Sequence, residues 1–153
     1  AAVLLTSLPP SGLWSGMWQI FRRHPGVVLE TLITQRFTPA VRTPALVREF
    51  LFSAEMPAEK VAAYHRRLQD ESFRAGLDEL GLNLVHPKRI RTPLLVIGAQ
   101  NDTVILPKSV HATARTYGTT ATIFPEMAHD VMLEAGWQTV ADHILEFLKE
   151  RGL

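Results

Sequence analysis

The chain has 153 residues, 46% hydrophobic and 20% charged, with a formal net charge of +1. That length suffices for one domain with a sizeable core, and so even a charge balance gives no long-range pull towards nucleic acid or anionic membranes. The absence of cysteine excludes disulfides, thiolate metal sites and a cysteine nucleophile within the chain.

A cysteine-free chain suits a reducing compartment, so a cytoplasmic location is the expectation. No apolar run approaches the roughly 18–20 residues that cross a bilayer, and no transmembrane segment is expected. No secretory signal is visible. The chain opens on AAVLLT without an initiator methionine, so the lack of a visible targeting segment decides little about location.

In chain order, AAVLL (Ala1 to Leu5) reads as a strand ended by Thr6, Ser7 and the Pro9-Pro10 pair. It is apolar at every position, as a strand covered on both faces requires. Residues 13–85 show no clear strand. They read as helices broken at His24-Pro25-Gly26, Thr38-Pro39, Thr43-Pro44, Met56-Pro57 and Leu80-Gly81, with Pro44 and Pro57 as helix starts. Pro57 to Phe73 reads as one polar helix. The stretch holding Trp14, Met17, Trp18, Ile20 and Phe21 is far more apolar.

LLVI (Leu94 to Ile97) is a second wholly apolar strand, opened by Pro93 and closed by Gly98. PKSVHATARTYG follows, with Pro107 suited to a first helical position and Gly118 to a left-handed cap. TATIF (Thr120 to Phe124) alternates, as a strand nearer a sheet edge does. The last helix places Trp137, Val140, Ala141, Ile144, Leu145 and Leu148 on one face, and Lys149, Arg151 and Gly152 mark its end. Strand, helix, strand, helix is the α/β pattern of a doubly wound, mostly parallel sheet. About three strands lie in this chain, with residues 13–85 inserted between the first and second. No repeat or low-complexity segment interrupts this order.

Open α/β sheets gather their chemistry at the carboxyl ends of the strands. GAQND follows the second strand and presents Asp102. PEMAHD follows the third and presents His129. A carboxylate that accepts the Nδ1 proton fixes the imidazole tautomer and leaves Nε2 as a general base. Each residue also has a plainer reading: Asn101-Asp102 as a turn pair, His129 as a solvated loop histidine. Their places in successive strand–helix units favour the pairing.

TPLLVIGAQNDTVI together with ATIFPEMAHDVMLEAGWQTVADHILEFL resembles the carboxyl-terminal part of an α/β-hydrolase. The resemblance implies that Asp102 is the acid after the family's seventh strand and His129 the histidine after its eighth. AAVLLTSLPPSG then resembles the sixth strand and the loop entering the cap. Residues 1–12 and 86–153 correspond to the core, and 13–85 to a helical cap. The family's nucleophile elbow, usually G-x-S-x-G, does not occur. GLWSG (Gly12 to Gly16) has the wrong spacing and falls in the cap. The oxyanion-hole elements are also missing. The chain is therefore expected to be part of an enzyme whose elbow lies upstream.

The function so implied is hydrolysis of an ester, thioester or similar acyl bond by a serine esterase or lipase-like enzyme. A small apolar acyl substrate is expected. Trp14, Trp18 and Val104 are the candidates for binding it; Trp14, Met17, Trp18 and Phe21 read equally as a packed helix face. His24 and His86 precede prolines and mark breaks, while His65, His111 and His143 suit surface or boundary roles. With no metal-ligand set and no glycine-rich phosphate loop, neither metal nor cofactor is expected. One alternative keeps the pair with an aspartate nucleophile upstream, as family members acting on epoxides do. Another is a non-catalytic binding or assembly module. In the hydrolase reading the partner is the missing amino-terminal half; in the module reading the first strand pairs with a second copy in a homodimer.

Overall fold

The computed structural model describes residues 1–153. Three parallel strands form one sheet in the order β1-β2-β3: β1 Ala2–Leu5, β2 Leu94–Ala99 and β3 Ala121–Phe124. Leu5 pairs with Ile97, and Ile97 pairs with Thr122, so the carboxyl ends of all three strands point the same way. The chain is thus an α/β fold in which each crossover is helical. No helix is long and apolar enough to cross a membrane.

β2 explains how the layers are held. Its side chains alternate between faces. Leu95, Ile97 and Ala99 join Met127, Val131, Val140 and Phe147 in one core cluster. Val96 joins Ile105, Val110 and Ala114 in another. Helix α7 (Pro107–Thr116) therefore covers one face and α8 (Trp137–Lys149) the other. A wholly apolar strand is what such double coverage demands. Gly98 permits the closeness of α7, since a Cβ there would stand 2.6 Å from a Val110 methyl. β1 also has both faces covered, with Val3 and Leu5 on one core and Leu4 on the other. Its outer backbone edge has no neighbouring strand.

Between β1 and β2 run α1 (Trp14–Arg23), α2 (Pro25–Thr34), α3 (Thr38–Val41), α4 (Pro44–Leu51), α5 (Ala58–His65) and α6 (Phe73–Leu77). Short helical turns at Asp78–Leu82 and Pro87–Arg89 lead into β2. Pro25 and Pro44 stand at helix starts, where no amide donor is needed. The Thr43 hydroxyl caps α4 by accepting from the Leu46 amide. This segment has a core of its own in Val47, Phe52, Met56 and Val61, closed by Leu133 from beyond β3.

Two helix expectations are corrected. Pro57 to Phe73 is not one helix: α5 stops at His65 and α6 starts only at Phe73. The Asp70 carboxylate accepts from the amides of Phe37 and Thr38 at 2.8 and 3.0 Å, a distant demand that draws residue 70 into a loop. In α8 the buried residues are Val140 and Phe147, with Ile144 and Leu148 packed beside them, while Trp137 and Leu145 point outward. Phe147 was not among the predicted face. It turns inward because the sheet surface meets α8 along a stripe displaced from Trp137 and Leu145.

Candidate functional site

Asp102 lies three residues beyond the end of β2. Its side chain is wholly buried and both of its oxygens accept hydrogen bonds. Oδ1 accepts from the Val104 and Ile105 amides, both at 2.8 Å. These bonds close a tight turn within Asp102's own loop and fix the carboxylate plane. Oδ2 is then left facing away from the turn, and it meets His129 Nδ1 at 2.9 Å. The turn reading and the partner reading of Asp102 are therefore both satisfied, one by each oxygen.

His129 lies in the loop between β3 and α8. Its side chain is 22% exposed, so the ring is largely buried but reaches solvent. In the Nδ1–H tautomer the imidazole donates to Asp102 and leaves Nε2 as the acceptor. Burial alone pulls the histidine's affinity for a proton down. The hydrogen bond and charge of Asp102 outweigh it, aided by Asp130 and Glu71, and the pKa is raised above its ordinary 6.5. Asp130 is also raised: burial disfavours its charge, Asp102 and Glu134 add repulsion, and His129 opposes both.

The helical segment packs on both loops. On the Asp102 side, Gly16 of α1 sits against the Val104 carbonyl, where any Cβ would overlap it. The Gln19 amide donates to the Thr103 carbonyl, and the Thr103 hydroxyl donates to the Glu49 carbonyl. On the His129 side, the Asp130 amide donates to the Leu51 carbonyl at 2.9 Å. The candidate base is thus held between the sheet and the inserted helices.

The proposed substrate residues are placed differently. Trp14 and Trp18 are 64% and 62% exposed. Trp18 stacks on Phe21 and lines an open groove of about 400 Å³ with Ser15, Gln19, Arg22 and Lys108. Neither Asp102 nor His129 belongs to that groove. Val104 contributes its amide to Asp102 and its carbonyl to the contact with α1. Ser15, the serine of GLWSG, is in the first turn of α1 and hydrogen-bonds Ser109 Oγ at 2.9 Å; it is not on a strand-to-helix elbow.

The remaining histidines have other partners or none of this kind. His24 Nε2 lies 2.9 Å from Glu49 and its ring stands edge-on to Phe50. His143 bonds Thr122 and abuts Phe124. No three histidine or carboxylate side chains gather in a way that would hold a metal ion.

Sequence reasoning missed Glu134, Ser53 and Glu71. Glu71's charge is among the causes that raise both His129 and, after burial, Glu79. Glu134 is 2% exposed and binds Ser53 and Ala128. Its one signal was an acid enclosed by apolar neighbours in VMLEAGW. No protein-family model and no curated protein matches the chain.

Proposed function

We propose that His129 and Asp102 are the base and the orienting acid of an α/β-hydrolase-type site. The site cleaves an ester, thioester or similar acyl bond with a serine supplied from outside this chain. The observation that carries the reading is the 2.9 Å bond from Nδ1 to Oδ2, made between the loops after two adjacent parallel strands. The buried second oxygen of Asp102, held by two amides, supports an orienting rather than a proton-shuttling role.

The chemistry follows from the two ring nitrogens. Nε2 takes the proton of the attacking serine hydroxyl as its oxygen bonds the carbonyl carbon. The imidazolium, stabilised by Asp102, returns that proton to the leaving alkoxide or thiolate. Water then attacks the acyl-enzyme, again through Nε2, and releases the acid. β1 contributes an unpaired edge to which the strand preceding it in such a sheet would add, bringing the nucleophile elbow.

The test uses the full-length protein. A serine-directed fluorophosphonate is expected to label it, and hydrolysis of short p-nitrophenyl esters is expected to fall roughly 10⁴-fold in Asp102→Asn. His129→Ala is expected to lose at least as much. Near-normal turnover in both variants would falsify the assignment. The unpaired edge of β1 favours one second reading, assembly without catalysis, in which two copies of this chain join at that edge. Robust esterase activity from a monomeric 153-residue chain contradicts it. An aspartate nucleophile would leave the pair unchanged and abolish fluorophosphonate labelling.

A further inference from the structure

His129 is flanked by two amides that are both hydrogen-bonded beyond their immediate neighbours. The Asp130 amide donates to the Leu51 carbonyl at the end of α4. The Ala128 amide donates to Glu134 Oε1 at 3.2 Å. The same Oε1 accepts from the Ser53 amide at 2.6 Å, and Oε2 accepts from Ser53 Oγ at 2.8 Å. Glu134 and Ser53 are both buried, and both Glu134 oxygens are engaged by these partners. One carboxylate therefore ties the exit of α4 to the residue immediately before His129.

We infer that Glu134 is a positioning residue: by binding Ser53 and the Ala128 amide together, it holds the His129 backbone where Nδ1 reaches Asp102. Calling it positioning for catalysis rests on the proposed function; its control of the His129–Asp102 bond does not. A buried carboxylate in this place is a costly choice unless its donors are needed together. The Met127 carbonyl accepts from the Asn101 amide at 2.9 Å, and Glu134 adds its tie at the next residue, directly before His129. The Leu51–Asp130 bond fixes the other side of His129, so loss of Glu134 loosens the loop at Ala128 while the bonds at Met127 and Asp130 remain.

The experiment is NMR of the His129 ring in the 153-residue chain. The wild type is expected to show a Nδ1–H proton shifted downfield and protected from exchange, with a titration midpoint above 6.5. The charged groups acting on His129 are Asp102, Asp130 and Glu71. Glu134→Ala is expected to lose the protected proton and to bring the midpoint down towards 6.5. Glu134→Gln is expected to keep both. Its carbonyl oxygen can accept from the Ser53 and Ala128 amides, while its NH₂ donates to Ser53 Oγ. A folded Glu134→Ala with the wild-type proton and midpoint overturns the inference, as does a Glu134→Gln that loses both. Should Glu134→Ala not fold, Ser53→Ala decides. It is expected to speed exchange of the Nδ1 proton roughly tenfold, as loss of one charge-assisted hydrogen bond implies; unchanged exchange overturns the inference. If these ring signals behave as stated while no ester is cleaved, the hydrolase reading fails and the positioning role stands.

Discussion

The loops that carry Asp102 and His129 are built by opposite means. The Asp102 carboxylate is held by amides two and three residues ahead of it, although its loop also meets the helical segment through Thr103. His129 is held through Ala128 and Asp130, whose partners are Glu134 and the far end of α4. Ser53, bound by Glu134, lies 81 positions away in the chain. The comparison teaches that the acid arrives positioned by local chemistry, whereas the histidine depends on the helical segment being docked. A pair of this kind is only as rigid as its less local member.

The largest effect should come from removing the local member. Asp102→Ala leaves two amides and the imidazole without their acceptor in a buried place. It is expected to cost about 3–5 kcal/mol, read by urea denaturation. A loss under about 1 kcal/mol would mean that the loop can rebuild its turn without the carboxylate.

A cavity in the helical segment should act on the histidine loop alone. Met56 is 1% exposed in the cluster closed by Leu133, one residue before Glu134. Met56→Ala is expected to cost about 2–5 kcal/mol. Amide exchange should quicken at Ala128 and Asp130 but not at Val104 and Ile105. Equal acceleration in both loops would break the comparison.

Titration probes the bond between the loops. The folded pKa of His129 is raised above 6.5, so its pairing stabilises the fold fully below about pH 6.5. That contribution is lost as pH rises through the folded value. Asp130, raised above 3.8, has the same sign: what it contributes is present below pH 3.8 and lost as pH rises through its own folded value. In Asp102→Asn the His129 window should shrink or disappear in denaturation curves taken across pH 6–8, and one that persists unchanged would show that Asp102 is not its main cause.

The smallest effect belongs to the surface pair beside the site. Glu49 meets His24 and Arg23 with its side chain, but it binds Thr103 through its backbone carbonyl. Glu49→Gln should therefore cost no more than about 1 kcal/mol and leave both loops in place, by thermal melting and amide shifts.

Much of the frame was legible in order along the chain. The Pro107 start and Gly118 end of α7 and the break at His24-Pro25 rest on local rules of capping and appear where they were read, whereas β2 runs on through Gly98, read as its end, to Ala99. The proline at position 57 stands one residue before its helix. Asp70 escaped because its role is set from afar, where it serves Phe37 and Thr38, whereas Phe147 sits at i+7 from Val140 and shares the helical stripe of Ile144 and Leu148.

The same division holds at the site. Strand ends, turn chemistry and spacing single out Asp102 and His129, because a residue after a strand and an aspartate in a turn obey rules of a few neighbouring positions. The bond between them, the burial that tunes it and the Glu134–Ser53 tie exist only once the sheet and helices are packed. Hydrogen bonds across such separations leave no period in a sequence. They are decided by which surfaces meet, and the docking of α4 against the loop after β3 decides where the imidazole stands.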